Sequence, residues 1–379
     1  MGYVFNCPTR LNFSDNAAQD LVLELSDAEN GSILVLTDTG LLKAGIAGPL
    51  VDGLRGAGFK TTLFTEVPGN PGVVDVDKAL DCAKSVGATH LVAIGGGSVI
   101  DTAKAVGVLM THEGISWEDL QWGQARISQP SLPMIAVPTT SGTGSEVTHV
   151  AVIGDSKGFK KGVVHPTIFP ATALIDGHLS LSLPPHLTAA TGMDALVHAL
   201  EAYLGKRHNP ITDLYALAAI RLTARWLPEA TRNGQNLVAR NAMAQAASLG
   251  GIAMDQAGLG LVHSLCGPLA ASCHVHHGLG IAVLLPATLV FNAPEITGER
   301  WENLCAAIGL DETETADQLS VWAKSLLEQI GLPTRLGELG VKKESIAKMA
   351  EDAVRMVMTP NNIRTATAED CEFILEMAL

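Results

Sequence analysis

The order in which hydrophobic periods follow one another constrains this chain most. In the first half, short apolar and β-branched runs at Ser32–Thr37, Thr61–Thr65, His90–Ile94 and Met134–Val137 alternate with helical patterns over Leu41–Ala57, Val74–Val86 and Val99–Met110. Continuous apolar runs of that length predict strands buried on both faces. Strand, helix, strand in this rhythm predicts βαβ units and a parallel sheet with helices on both sides. A last run at Ala171–Asp176 closes the pattern, and Pro184-Pro185 then punctuates the chain. From His186 the period is helical almost to the end. Leu196, Leu200 and Leu204 recur at four-residue spacing, and helical runs cover Thr212–Trp226, Leu237–Met254, Thr315–Ile330 and Lys343–Val357. The expected fold is an α/β N-terminal domain over residues 1–180 and an all-α C-terminal domain over residues 181–379.

Composition narrows the function classes. The 379 residues hold 25 Lys+Arg against 39 Asp+Glu, a formal net charge of −14, which argues against a nucleic-acid partner. With 47% hydrophobic and 17% charged residues the chain is no disordered polymer, and its length permits a large core without disulfide staples. The longest apolar stretches, such as Gly278 to Val290, read as too short or too glycine-rich to span a bilayer. The N-terminus, MGYVFNCPTRLNF, lacks the pattern of a secretory signal, and Asn6 stands where a myristoylation motif wants Ser or Thr. The six cysteines form no CxxC pair and read as reduced thiols, so a cytoplasmic protein without membrane or nucleic-acid partners is expected.

Two glycine-rich turns follow predicted strands. In Gly95-Gly96-Gly97-Ser98-Val99-Ile100-Asp101, glycines permit a tight turn and close backbone approach to a phosphate, and Ser98 with Asp101 has capping-box spacing. The amides and dipole of the following helix would complete an anion site. An ordinary strand-to-helix turn is the bland alternative; neither GxGxxG nor a Walker motif is present. The second turn, Thr139 to Glu146, carries five hydroxyl side chains in eight residues, among them Thr139, Thr140 and Thr143. Two such loops point to a dinucleotide. Asp38, just past the first buried strand, stands where a carboxylate bonds a ribose 2′-hydroxyl and repels a 2′-phosphate, which favours NAD over NADP; a solvated turn aspartate is the alternative.

The helical half opens on Gly192-Met193-Asp194-Ala195-Leu196-Val197-His198, where Asp194 and His198 share one helix face. The segment Gly258–Gly280 then carries His263, His274, His276 and His277. A carboxylate with imidazoles suits Fe(II), Zn(II) or a similar divalent ion. A surface or core histidine cluster is the alternative for any one of them. Cys266 and Cys273 flank the histidines and read as packing residues, with thiol catalysis the lesser option.

The segments GGGSVIDTAK, PTTSGTGSEVT, ALIDGHLSLSLPPHLTAATGMDALVHALEAY and GLGLVHSLCGPLAASCHVHHGLGIAVLLP resemble those of the iron-containing (group III) alcohol dehydrogenase family, in its order and spacing and nearly end to end. The resemblance implies a Rossmann-like parallel sheet followed by a helical metal-binding domain, a dehydroquinate-synthase-like architecture with a cleft where hydride passes. It implies Asp194, His198, His263 and His277 as metal ligands, and cofactor contacts from Asp38, Gly96, Gly97, Ser98, Asp101, Thr139, Thr140, Thr143 and Lys161. His149, Val150, Met254 and Gln256 match positions that line the substrate pocket. Members commonly place a relay histidine four residues after the third ligand, where this chain has Gly267, so His274 or His276, a cofactor hydroxyl or water must carry the proton.

The activity these features imply is NAD-dependent, metal-dependent oxidation of a small primary alcohol or reduction of its aldehyde, with Fe(II) as the metal and Zn(II) the alternative. A polyol or glycerol dehydrogenase, a maleylacetate reductase and a dehydroquinate-synthase-like lyase are alternatives on the same fold. A non-catalytic scaffold is disfavoured, since a scaffold has no reason to place four buried polar side chains together. A homodimer is the expected assembly.

Overall fold

The computed structural model describes residues 2–28 and 31–379. By backbone proximity the chain divides into two compact units. One comprises Cys7–Thr140 and Gly144–Ser182; the other comprises the N-terminal segment ending at Asn6, Ser141–Thr143 and Leu183–Leu379. A single cut at residue 180 therefore leaves out two short segments that pack with the helical unit.

The α/β unit holds strands β1 (Arg10–Phe13), β2 (Ser32–Leu36), β3 (Lys60–Phe64), β4 (His90–Gly95), β5 (Met134–Pro138), β6 (Val150–Gly154), β7 (Lys160–Val164) and β8 (Thr172–Ile175). Its helices are α1 (Ala17–Glu24), α2 (Thr39–Lys43), α3 (Ala47–Gly56), α4 (Val73–Ser85), α5 (Gly97–Leu109) and α6 (Trp117–Gln121). Six strands form an all-parallel sheet in the order β1-β8-β5-β4-β2-β3, and β6 with β7 forms a separate antiparallel hairpin. The alternation along each strand feeds two cores. Ile33, Val35, Val92 and Ile94 pack on one face with Leu50, Val51 and Leu54 of α3. Leu34, Leu36, Leu91 and Ala93 pack on the other with α4 and α5.

The topology fixes where a ligand can bind. From β2 the chain crosses to β3 on one side, whereas from β4 it crosses to β5 on the other. The carboxyl ends of β2 and β4, which pair in register from Ile33↔His90 to Leu36↔Ala93, therefore flank the switch point where open α/β sheets bind ligands.

Three local expectations need correction. The helix expected over Leu41–Ala57 is two helices, α2 and α3, because Gly45 adopts φ 74 between them. Helix α5 begins at Gly97 with Gly96 as its N-cap and no side-chain cap, so Ser98 and Asp101 form no capping box. The β6–β7 hairpin and edge strand β1 were not expected from the pattern; each is short and half exposed, and β1 is held by its distant partner β8.

The helical unit holds α7 (Pro185–Leu204), α8 (Pro210–Arg232), α9 (Leu237–Ala257), α10 (Leu261–Cys273), α11 (His277–Asn292), α12 (Glu299–Ile308), α13 (Gln318–Gln329), α14 (Ile346–Val354) and α15 (Ala368–Ala378). Helix α7 is buried on every side from Gly192 to Leu204 and packs against α8, α9 and α11. Helix α11 with the 3-10 turn after it corrects the expectation that no stretch is long enough to span a bilayer. His277–Glu295 makes 19 helical residues, with an 18-residue stretch of mean hydropathy 1.4. Yet 72% of the apolar stretch is buried within the protein, against α7, α10, α13 and α15, as in a core helix.

Candidate metal centre and dinucleotide site

Asp194, His198 and Glu201 lie at i, i+4 and i+7 of α7 and so share one face. His263 stands in the first turn of α10 and His277 is the first residue of α11. Gly278 allows that convergence, because a Cβ there would lie 2.6 Å from the Ala190 carbonyl oxygen of α7. Asp194, His263 and His277 thus come together, with His198 beside Asp194. Asp194 Oδ1 lies 3.4 Å from His198 Nε2, 3.7 Å from His263 Nε2 and 3.7 Å from His277 Nε2. The His198 and His263 rings stack with centroids 4.9 Å apart.

These distances test whether an ion fits. Ligand atoms about 2.1 Å from one tetrahedral ion stand about 3.4 Å from each other. Asp194 Oδ1 and His263 Nε2 are buried and make no hydrogen bond, and a ligated cation is what satisfies such atoms. The ligand atoms of Asp194, His263 and His277 lie within 4.8 Å of one another. The Asp194, His198 and His263 side chains are 5–6% exposed, whereas His277 is 49% exposed, so the cluster is open on one side. Three imidazoles and a carboxylate accept either Fe(II) or Zn(II).

Glu201 was not singled out in the sequence. Its Oε2 accepts from His263 Nδ1 at 2.6 Å, and its Oε1 accepts from the Val262 amide at 2.6 Å. This carboxylate would commit Nδ1–H and leave Nε2 available to a cation, the arrangement that orients metal-bound histidines. The signal was available as the i+7 position after Asp194. Burial works against a charged His263, but Glu201 and Asp194 overcome it and push its pKa up to about 9. Burial likewise opposes ionised Asp194, yet His198, His277 and His263 hold its carboxyl well below the usual range. Burial dominates at His198 and pushes its pKa down, leaving it neutral and able to ligate.

His274 and His276 are exposed; His274 ends α10 in the left-handed region at φ 54, and His276 precedes α11. Gly267 faces Met356, whose Cε would lie 3.1 Å from a Cβ.

In the α/β unit, Asp38 follows β2 at the switch point. Its Oδ1 accepts from the Leu41 amide at 2.9 Å and caps α2. The glycine turn follows β4, and a Cβ on Gly95 would meet Val99 Cγ2 at 2.5 Å, so only glycine lets α5 turn away this sharply. The Thr139 amide donates to the Gly95 carbonyl at 3.1 Å, and Thr140 Oγ1 would lie 3.1 Å from a Cβ on Gly96. Asp38, Gly96, Gly97, Thr139 and Thr140 thus belong to one end of the sheet. Ser98 Oγ donates to the Gly69 carbonyl at 2.5 Å.

Asp101 faces inward. Its Oδ1 accepts from Ser145 Oγ at 2.5 Å and its Oδ2 from the Val152 amide at 2.9 Å. Beside it the buried Lys104 Nζ donates to Ser145 Oγ (3.0 Å), Thr148 Oγ1 (3.0 Å) and the Val150 carbonyl (2.8 Å). Burial pushes the Asp101 carboxyl up, while Lys104 and these donors oppose it. Together they brace α5 against the chain that follows the hydroxyl-rich loop. Thr143 of that loop belongs to the helical unit.

Lys161 Nζ lies 4.0 Å over the Trp122 ring, and the His149 ring stacks on Phe169 at 5.1 Å. In the helical unit, Met254 packs against the core, and Gln256 Oε1 accepts from the Asn6 amide at 3.0 Å.

Residues 8–177 match the family model described as iron-containing alcohol dehydrogenase, and residues 188–379 match that described as the Fe-containing alcohol dehydrogenase family, C-terminal. The chain belongs to the iron-containing alcohol dehydrogenase family. It is 36% identical to the NAD-dependent methanol dehydrogenase of Bacillus methanolicus over 352 residues, 91% of this chain and 92% of that one. Among solved structures, 1,3-propanediol oxidoreductase superposes with TM-score 0.93 at 33% identity over the whole of both chains. Sulfoacetaldehyde reductase from Bifidobacterium kashiwanohense in complex with NAD+ gives 0.92 at 29%, covering 100% of this chain and 99% of the other. The protein is accordingly an oxidoreductase, a metal-dependent and NAD-dependent alcohol dehydrogenase or aldehyde reductase.

Proposed function

We propose that this dehydrogenase interconverts a small primary alcohol and its aldehyde with NAD(H), through a divalent ion held by Asp194, His198, His263 and His277. The observation that carries the ligand assignment is the buried, unbonded Asp194 Oδ1 with three Nε2 atoms at 3.4–3.7 Å. The ion supplies Lewis acidity and the nicotinamide supplies the two-electron redox chemistry. The chain itself orients and excludes. Glu201 holds His263 in one tautomer, the buried Asp194, His198 and His263 side chains exclude water on their side of the ion, and the half-exposed His277 edge leaves one side open to substrate. That open side also gives the alcohol proton a route to water without an imidazole at Gly267.

Asp38, Gly96, Gly97, Ser98, Thr139, Thr140 and Thr143 are assigned to the dinucleotide, with Asp38 selecting the 2′-hydroxyl. Asp101 is assigned to bracing, since both its oxygens already accept hydrogen bonds. Lys161 is assigned to the nicotinamide ribose, and His149, Val150, Met254 and Gln256 to the substrate pocket. The relatives' printed substrates, methanol in one and sulfoacetaldehyde in another, bracket the substrate class. A homodimer is proposed, and a cytoplasmic location is proposed from six scattered cysteines that form no CxxC pair. The test is a panel of short alcohols, diols and neutral or anionic aldehydes with NAD(H), after loading with Fe(II) or Zn(II) and read as cofactor absorbance. Turnover that requires the ion supports the proposal; metal-independent turnover contradicts it.

A further inference from the structure

We infer that Cys266 is a positioning residue for the metal centre, fixing the His277 ring so that Nε2 faces Asp194. The inference rests on the ligand assignment above. Cys266 lies on α10, three residues after His263, and is fully buried. Its Sγ stands 3.5 Å from His277 Nδ1, and its thiol donates to the His277 carbonyl oxygen at 3.5 Å. With Nδ1–H directed at sulfur, the lone pair belongs to Nε2, which points at Asp194. Sulfur thus does for His277 what Glu201 does for His263.

A second observation locates the thiol. A Cβ on Gly280, one turn into α11, would lie 2.9 Å from Cys266 Sγ, so the sulfur occupies space that only glycine leaves. The two supports are unequal. Glu201 is a charged acceptor at 2.6 Å, whereas a thiol is a neutral, weak one at 3.5 Å. His277 is also the half-exposed ligand. The metal site is therefore weakest at His277, and removing its sulfur contact loosens it further.

The test uses the full chain, stripped with chelator and titrated with Co(II), whose visible bands report ligand geometry. Cys266→Ala is expected to bind Co(II) about 10–100-fold more weakly than wild type, with altered bands and faster loss to chelator. Cys266→Ser keeps a group that both accepts and donates, and restores affinity to within about threefold. Gly280→Ala keeps every ligand and the Cys266 side chain but displaces its sulfur, and is expected to behave like Cys266→Ala; it carries the test if Cys266→Ala folds poorly. Wild-type Co(II) affinity and bands in both Cys266→Ala and Gly280→Ala overturn the inference, even if their unfolding midpoints fall. Wild-type protein that binds no Co(II) overturns the ligand assignment itself, a result distinct from a difference between variants.

Discussion

Glu201 and His263 are joined by a 2.6 Å hydrogen bond between two buried side chains, linking the last turn of α7 to the first turn of α10. The Val262 amide donates to the other carboxylate oxygen, so Glu201 is fixed at both ends. Replacing it with Gln keeps the shape and removes the charge. Glu201→Gln is expected to weaken Zn(II) or Fe(II) binding by about 10–100-fold while leaving the fold intact. Competition with a chelator, set beside an unfolding curve, checks this; unchanged affinity contradicts the role.

The proton on His263 competes with the ion. In the metal-free protein its pKa stands at about 9 against an ordinary 6.5, with burial opposing and the two carboxylates prevailing. Apparent metal affinity is therefore expected to rise about tenfold per pH unit up to about pH 9 and to level off above it. Zn(II) or Co(II) titration at several pH values measures the slope.

The same shift sets the stability of the metal-free chain. Because the folded pKa is raised, the stabilising contribution is fully present below pH 6.5 and is lost as pH rises through about 9. Melting of the metal-free protein is expected to fall over that window and to change less in the loaded protein. Equal pH dependence in both states would contradict it.

How much of this was legible beforehand varied with the kind of signal. The buried strands announced themselves as unbroken apolar runs, and Asp194, His198, His263 and His277 as a four-residue spacing followed by a histidine-rich segment. Glu201 sat in plain view at the next turn of the same helix face, but a lone glutamate on an apolar helix carries no mark of its partner. The Cys266 contact depends on α10 folding back on α11, which no local pattern encodes. Edge strand β1 and the β6–β7 hairpin were hidden for the same reason, since their pairing is distant or their residues half exposed. Asp101 had capping-box spacing, yet its carboxylate turned inward to Ser145 and Val152.

Cofactor choice is tested at Asp38. Since its Oδ1 also caps α2, Asp38→Asn separates charge from capping, because the amide oxygen still accepts from Leu41. The ratio of kcat/KM for NAD over NADP is expected to fall by about tenfold or more, with little change in stability. An unchanged ratio would remove Asp38 from the ribose.

Lys104 is a buried ammonium held by Ser145, Thr148 and Val150 beside Asp101. Lys104→Met strands the carboxylate and three acceptors, and is expected to cost about 3–5 kcal/mol of stability and to raise the Kd for NADH. Pairing it with Asp101→Asn is expected to recover part of the loss, as urea unfolding of the single and double variants can measure.

The most direct measurement is the metal content of the full chain after saturation with Fe(II) or Zn(II) and removal of excess, compared between wild type, Asp194→Asn and His263→Ala. The expected result is one ion per wild-type chain and none retained by either variant, with NAD(H)-linked turnover lost in parallel. One equivalent retained by both variants, or none by the wild type, would contradict the proposed centre.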